Sequence, residues 1–139
     1  MIIAIPAHEI RAWLKENSVF NGQNILVASK GIEASSGEFL NEIYAPFVPE
    51  KNIGFISGPS FAAEVIKGLP CALVINSSSK KLYKKFEPFF LNFIKTYYSS
   101  DVIGAEVAGA YKNVLAIASR ICEGLNIGNN AQASLIARG

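Results

Sequence analysis

The chain has 139 residues, of which 50% are hydrophobic and 17% are charged. This composition is typical of a globular domain with a sizeable core and excludes a disordered chain. The 13 basic and 11 acidic residues leave a net charge of +2, too small to indicate a nucleic-acid-binding stripe or an anionic membrane surface as partner. The two cysteines lie far apart and only one histidine is present, so the sequence predicts neither a disulfide framework nor a metal site.

The apolar segments are too short or too interrupted for targeting or membrane insertion. The apolar run at residues 1–5 is followed by no small-residue cleavage site, so it is not a signal peptide. Glu106, Lys112 and Arg120 interrupt the apolar stretch 102–121, and a membrane span would place these charges in hydrocarbon. We therefore expect a buried helix there, in a cytoplasmic protein.

Short apolar runs alternate with segments of helical spacing in the first part of the chain. In chain order the predicted elements are strand 2–5, helix 7–16, strand 24–29, helix 35–47, strand 52–57, helix 59–67, strand 71–75, helix 79–90 and strand 95–98. Unbroken apolar runs such as 25–28 are typical of strands buried on both faces. This pattern favours a mostly parallel α/β sheet covered by helices.

The pattern changes near residue 100. From Asp101 onward a long helix rich in alanine and glycine is predicted, and a second helix is predicted to start near Asn129. We therefore expect two parts, a sheet domain over 1–100 and the start of an all-α domain over 101–139. The sequence contains no GxGxxG motif, so the glycine-rich turn that seats a dinucleotide pyrophosphate is not predicted.

A lysine follows the second predicted strand, in the sequence Ser29-Lys30-Gly31. Gly31 allows a sharp turn, and the strand places the Lys30 cation at the carboxyl edge of the sheet, where ligands of open α/β folds bind. This position suits contact with a phosphate or a carboxylate. An ordinary lysine at a strand exit is the alternative, and the residues taken alone favour it.

A possible anion-binding turn, residues 57–62, follows the third predicted strand. Pro59 suits the first helical position, Gly58 permits close backbone approach, and Ser60 offers a hydroxyl beside unpaired N–H groups. Such a turn can hold an anion at a helix N-terminus. A plain capping turn uses the same residue types, so both interpretations remain open.

Lys112 lies in the long predicted helix. The positions three and four residues away, 108, 109, 115 and 116, are all small or apolar, so no carboxylate on this face can pair with the amine. Close approach of another element would desolvate the amine, which is how a lysine becomes usable for proton transfer near neutral pH. We favour this interpretation over a snorkelling surface lysine, since the face lacks other charged residues.

Several motifs occur together and in order. They are Ala4-Ile5-Pro6, Ser29-Lys30-Gly31-Ile32, Ser57-Gly58-Pro59-Ser60-Phe61-Ala62-Ala63-Glu64, Asp101-Val102-Ile103-Gly104-Ala105-Glu106, Tyr111-Lys112-Asn113-Val114, and a tail from Gly128-Asn129-Asn130-Ala131 to Ala137-Arg138-Gly139. With these motifs the chain resembles the bacterial NAD(P)-dependent glycerol-3-phosphate dehydrogenases over nearly its whole length. The resemblance implies a Rossmann-like sheet in a partial dinucleotide-binding domain, followed by the first helices of an α-helical substrate domain.

The resemblance also implies an activity and roles for individual residues. The activity is reversible hydride transfer between NAD(P)H and dihydroxyacetone phosphate, which yields glycerol 3-phosphate for phospholipid synthesis. Lys112 would donate and accept the proton at the substrate's C2 oxygen, and Asn113 would help to orient the substrate. The substrate contacts would be Lys30, Gly58, Ser60, Lys112 and Asn113, and the cofactor contacts would be Lys30 and Ala62.

The chain departs from the family's pattern at both ends. The family begins with a glycine-rich dinucleotide fingerprint and continues beyond the Ala-Arg-Gly motif to further substrate-binding motifs, and this sequence contains neither. We therefore expect an internal segment that is inactive alone and self-associates through an uncovered sheet. Two alternatives remain open: another β-hydroxyacid dehydrogenase-like enzyme, and a non-catalytic fragment or interaction module.

Overall fold

The computed structural model describes residues 1–17, 20 and 22–138. Its elements are β1 (Ile2–Ile3), α1 (Ile10–Asn17), β2 (Ile25–Val27), α2 (Leu40–Tyr44), β3 (Ile53–Ser57), α3 (Ala62–Ile66), β4 (Cys71–Asn76), α4 (Lys80–Phe86), β5 (Ile94–Ser99), α5 (Val102–Gly124) and α6 (Asn129–Arg138). All five predicted strands are confirmed, and so is a long helix after residue 100. The expectation that this helix is buried is wrong, because Glu106 is its single buried residue and apolar side chains such as Ile117 are exposed. None of the helices in the described part of the chain is long and apolar enough to cross a membrane.

The five strands form one sheet in the order β1-β2-β3-β4-β5. β1, β2 and β3 are parallel, β4 is antiparallel to β3, and β5 is parallel to β4. The sheet is therefore mostly parallel, as predicted, but its two blocks point in opposite directions. The carboxyl ends of β1, β2 and β3 share one edge, which we call the Lys30 edge (residues 4–6, 28–31 and 57–61).

The sheet is buried on both faces at its centre, and β2 shows why its sequence is unbroken apolar. Ile25 and Val27 point into a cluster formed with α1, α2 and neighbouring strands. Leu26, between them, points to the other face and packs with Leu82 and Phe86 of α4. Because successive side chains of a strand alternate between faces, a strand covered on both sides needs an apolar residue at every position.

The helix α5 carries the chain from the opposite edge of the sheet back to the Lys30 edge. It begins after β5, where Asp101 caps it by accepting a hydrogen bond from the Gly104 N–H at 2.8 Å. Asp101 and Ile53, the first residue of β3, line one cavity, so α5 starts at the amino end of β3. Eight helical residues advance about 12 Å, and the length of β3 is about 13 Å. Gly109 consequently reaches the carboxyl end of β3.

The helix predicted over 35–47 is confined to Leu40–Tyr44. Its predicted start is wrong because Gly37 has a φ of +77° and Ile32 pairs with Phe39 in an antiparallel bridge. The residues from 32 to 39 therefore form a loop that is closed by this bridge. The helix α2 begins only after this loop, at Leu40.

The helix predicted over 59–67 starts three residues later, at Ala62. Gly58 has a φ of +119°, and Phe61, the residue before the helix, is extended. The prediction that Pro59 occupies the first helical position is therefore wrong. The helix α3 has only five residues, so the anion-binding helix start that we considered at Ser60 is not formed.

Candidate functional site

Hydrogen bonds tie together the strand ends at the Lys30 edge. The Ser29 hydroxyl donates to the Ile5 carbonyl at 2.5 Å, which joins the ends of β2 and β1. The Lys30 Nζ donates to the Gly58 carbonyl at 3.2 Å, which joins the ends of β2 and β3. The parallel order of the three strands thus brings two sequence-distant motifs into direct contact.

The Lys30 amine lies in an environment that weakens its charge. Partial loss of water lowers its pKa, and the nearby positive charge of Lys112 lowers it further. Both effects disfavour the protonated form. An arriving anion would relieve the repulsion between the two lysines, so the pair suits a negatively charged ligand.

Only glycine fits at position 58, both because of the backbone conformation there and because of the neighbouring atoms. Its φ of +119° lies in the region that side chains rarely adopt. A Cβ at this position would lie 2.8 Å from the Ala72 carbonyl oxygen and 3.3 Å from the Leu73 Cα. The turn therefore passes against β4 in a way that only glycine permits, and this turn aims the Gly58 carbonyl at Lys30.

An ion pair fixes the loop that follows Lys30. The Arg11 Nε lies 2.9 Å from both carboxylate oxygens of Glu33, a buried residue, and the guanidinium also contacts Glu38. The Ser36 hydroxyl donates to the same Glu33 carboxylate at 2.6 Å. These hydrogen bonds, with Arg11 first, hold the pKa of Glu33 below its usual value. This ion pair was not predicted from the sequence, because its partners lie on different elements.

The helix α5 lies over the Lys30 edge. Together they enclose a cavity of about 550 Å³, lined by Lys30, Ser57, Gly58, Pro59, Ser60, Phe61, Ala105, Ala108, Gly109 and Lys112. The small side chains at 105, 108 and 109 are what leaves this space open. The cavity is large enough for a small phosphorylated metabolite.

The structure brings together four of the six residues that the resemblance selected. Lys30, Gly58, Ser60 and Lys112 line the cavity just described. Ala62 and Asn113 are the next residues along the chain from Phe61 and Lys112, and both are exposed. The desolvation predicted for Lys112 is wrong for this chain, because Lys112 is exposed and the cavity beside it is bordered by small residues. Partial loss of water instead lowers the pKa of Lys30, although that side chain is also exposed.

Glu106 is a buried residue that sequence reasoning noted only as a charge within an apolar helix. Its Oε1 accepts a hydrogen bond from the Asn41 backbone N–H at 3.0 Å, while its Oε2 is buried without a partner in the described structure. Burial raises the pKa of this carboxyl to about 7, against the smaller opposing effects of the Asn41 and Leu40 backbone N–H groups. The signal in the sequence was an acidic residue on an otherwise small and apolar stretch.

The sequence was also compared with models of known families. Residues 1–83 match the N-terminal model of NAD-dependent glycerol-3-phosphate dehydrogenase, and residues 101–139 match its C-terminal model. The chain belongs to this family. The resemblance inferred from the ordered motifs is confirmed, and family membership argues against another β-hydroxyacid dehydrogenase-like enzyme.

Relatives in the glycerol-3-phosphate dehydrogenase family match the whole chain. The NAD(P)+ enzyme of Sulfurimonas denitrificans is 61% identical over 139 residues, and that of Campylobacter jejuni is 58% identical over the same length. The chain spans 47% of each of these relatives. The crystal structure of glycerol-3-phosphate dehydrogenase from Coxiella burnetii superposes with a TM-score of 0.87 at 32% identity, and the match covers 99% of this chain and 43% of that one. The Rossmann-like sheet followed by helices is thereby confirmed.

Proposed function

We propose that this chain is the part of an NAD(P)-dependent glycerol-3-phosphate dehydrogenase that supplies its proton-transfer group and substrate contacts. The complete reaction interconverts dihydroxyacetone phosphate and sn-glycerol 3-phosphate, for phospholipid synthesis. The observation that carries the proposal is the meeting of Lys30 and Lys112 in one cavity with Gly58 and Ser60. Two amines of like charge suit a substrate that carries both a phosphate and a polarisable carbonyl oxygen.

In this proposal Lys112 is the general acid and base. Its ammonium donates a proton to the C2 oxygen as the ketone is reduced, and the amine takes that proton back in the reverse direction. Small neighbours at 105, 108 and 109 leave room for the substrate's carbon chain beside the amine. Asn113, the next residue of α5, would help to orient the substrate.

Lys30, Gly58 and Ser60 are proposed to hold the substrate. The Lys30 Nζ already donates to the Gly58 carbonyl, so the amine is oriented across the turn before any ligand arrives. Ser60 adds a hydroxyl at the same cavity wall. Such fixed contacts reduce the entropy lost when the substrate is placed for reaction.

The residues of this chain fit one end of the dinucleotide cofactor only. Ala62 is small and exposed beside the cavity, and the exposed Lys30 lines the cavity itself. Ala62 and Lys30 would therefore contact the nicotinamide end. The cofactor, when bound, supplies or accepts the hydride. The sequence holds no GxGxxG turn for the pyrophosphate, so these residues do not form a complete cofactor site.

Three further properties belong to the same proposal. Residues 1–100 are part of a dinucleotide-binding domain, and residues 101–139 begin a substrate domain. We expect the protein to act in the cytoplasm and to associate with a second copy of itself. Light scattering of the purified chain tests the association, and a monodisperse monomer at moderate concentration would count against it.

A segment exchange tests the proposed function. The matching 139 residues of the Sulfurimonas denitrificans enzyme, 61% identical, are replaced by this chain. We expect the chimera to oxidise NADPH when dihydroxyacetone phosphate is added, at a rate near that of the parent enzyme. The isolated chain should show no such activity, since it lacks the pyrophosphate-binding turn.

Two controls make the exchange decisive. The chimera with Lys112→Ala should lose activity, whereas Lys81→Ala, the same change at an exposed lysine of α4, should leave it unchanged. A folded chimera without dihydroxyacetone phosphate reduction would contradict the proposal and favour a non-catalytic segment. Reduction of 2-keto acids instead would indicate a different member of the wider dehydrogenase group.

A further inference from the structure

We propose that Glu106 is a positioning residue, which docks α5 on the sheet and thereby sets where Lys112 lies relative to Lys30. The meaning of that distance for catalysis depends on the proposed function. The docking itself does not, because it follows from contacts within this chain.

Glu106 is the single buried residue of α5, with 8% of its surface exposed. All 23 residues of this helix belong to the described part of the chain. Around Glu106, the half-buried residues of the helix are Val102, Gly104, Ala105, Gly109 and Ala110, most of which carry little or no side chain. Such an interface buries little apolar area and provides little that would fix the angle of the helix. A directional hydrogen bond accepted by the Glu106 carboxylate fixes the helix where packing does not.

The partner of Glu106 is a backbone group that needs an acceptor. Asn41 lies in the first turn of α2, where N–H groups have no partner within the helix. Phe39, which precedes the helix, offers no polar side chain as a cap, and Glu42 is engaged by the Phe39 N–H at 2.8 Å. Glu106 Oε1 accepts from the Asn41 N–H at 3.0 Å. The Asn41 N–H thus gains an acceptor in Oε1, and α5 is joined to α2 at a fixed point.

Glu106 also borders the same small space as Lys30. Lys30, Ser57, Gly109 and Glu106 line a small cavity of about 20 Å³ between α5 and the sheet. A Cβ on Gly109 would lie 4.0 Å from the Lys30 Cβ, so the helix approaches the lysine closely one turn after Glu106. A shift of the helix at Glu106 would therefore change the environment of Lys30 as well as the place of Lys112.

Lys112 lies far enough along α5 from Glu106 for a small tilt of the helix to displace its side chain. Six helical residues correspond to about 9 Å along the helix axis. A tilt of about 10° around Glu106 would move Lys112 by about 1.5 Å. A misplacement of about 1 Å can cost a factor of ~10² in rate. Loss of the contact at Glu106, if it allows such a tilt, would therefore change the geometry of the two lysines.

The test uses the titration of Lys30 in the 139-residue chain, followed by NMR of its side chain. Since the charge of Lys112 lowers the pKa of Lys30, Lys112→Met should raise that pKa. In a Glu106→Leu background α5 is no longer held, and Lys112→Met should then leave the pKa of Lys30 unchanged. We call the effect of Lys112 on the pKa of Lys30 the coupling between the two lysines. Its loss in Glu106→Leu, with the core resonances unchanged, is the expected result.

Two variants serve as controls. Glu106→Gln keeps an acceptor for the Asn41 N–H and should preserve both the coupling and the slow exchange of the Asn41 amide. Glu123→Leu makes the same change at an exposed glutamate of α5 and should alter neither. The proposal is overturned if the coupling persists in folded Glu106→Leu, or if Lys112→Met has no effect in the parent chain.

Glu106→Leu can unfold the chain, in which case Glu106→Gln decides the question. Retained coupling and a protected Asn41 amide then support the proposal, and loss of either in a folded Glu106→Gln protein contradicts it. None of these measurements involves a substrate or a cofactor. An inactive chimera would therefore refute the proposed function and leave this result unaffected.

Discussion

A Cβ on Gly109 would lie 4.0 Å from the Cβ of Lys30, which is ordinary van der Waals contact and no closer. The helix α5 and the loop after β2 therefore approach each other until only one further methyl group would fit between them. This spacing decides which substitutions the candidate site tolerates.

We expect Gly109→Ala to be neutral or to stabilise the chain by about 0.5–1 kcal/mol, because alanine favours the helix and meets no clash. Gly109→Leu should instead destabilise the chain, since a leucine side chain must extend past the Lys30 Cβ, which already lies at contact distance from the Cβ of residue 109. Urea unfolding measures both effects, and Gly124→Leu, at a helical glycine with open space around it, is the matched control. Equal stabilities of the two leucine variants would show that the contact between residue 109 and Lys30 does not affect the free energy of unfolding.

Gly58 should be far less tolerant of substitution than Gly37, another glycine with a positive φ. Gly37 also has a positive φ, +77°, but a Cβ there would meet nothing within 4 Å. Gly37→Ala should cost only the backbone strain, about 1 kcal/mol. Gly58→Ala adds a contact of 2.8 Å with the Ala72 carbonyl and should cost about 1–3 kcal/mol more. Urea midpoints of the two variants test this order, and a smaller loss at Gly58 would contradict it.

The ionisation of Glu106 should make stability fall as the pH rises. The folded-state pKa, about 7, lies above the ordinary value of 4.5, so between these values the folded chain binds more protons than the unfolded chain. Glu42 of α2 raises this pKa further, and Lys30 is the cation that borders the cavity on the sheet side. The free energy of unfolding should therefore decrease from about pH 5 to pH 7, by at most about 3 kcal/mol.

The comparison with Glu106→Gln isolates that contribution, since this variant cannot ionise. Its stability relative to the parent should rise between pH 5 and pH 8. Denaturant unfolding at both pH values measures the difference. A difference that does not change with pH would mean that the carboxyl titrates alike in the folded and unfolded chain.

The two lysines should differ in their kinetic roles within the chimeric enzyme described above. Lys112→Ala removes the proposed acid and base and should lower kcat by ~10² to 10⁴-fold, with little change in NADPH affinity. Lys30→Ala should mainly raise KM, because a residue that positions substrate contributes binding. Steady-state kinetics of both variants separates the roles. Near-parental kcat in Lys112→Ala, with Lys30→Ala inactive at saturating substrate, would reverse the assignment.

Much of the fold followed from the sequence because its signals are local. Strands buried on both faces require an apolar residue at each position, so β2 and β3 were recognisable from composition alone. Lys30 was expected at the carboxyl edge of the sheet because it follows a buried strand, whereas its hydrogen bond to the Gly58 carbonyl was not predicted. The motif at Lys112 was correctly expected on a long helix, but the packing of that helix over the Lys30 edge was not predicted.

Two of the failures involve partners that are distant along the chain. The helix predicted over 35–47 began too early because Glu33 is engaged by Arg11, 22 residues away, and the loop closes around that ion pair. Lys112 is exposed because its neighbours are too small to cover it, which periodicity does not reveal. Glu106 was missed as a contact because its donor, the Asn41 N–H, carries no side-chain signature.

The hydrogen bond between Asn41 and Glu106 has a consequence for the order of folding. It joins residues 65 positions apart, whereas the helices α5 and α6 contact each other through the nearby pair Gln132 and Ser119, 13 positions apart. Closing a loop costs more entropy as the loop lengthens, by about 0.6 kcal/mol for each doubling. We therefore expect the two helices to form early as a local unit and to dock late, with φ-values near zero at Glu106. The two lysines would then meet only in the final step of folding.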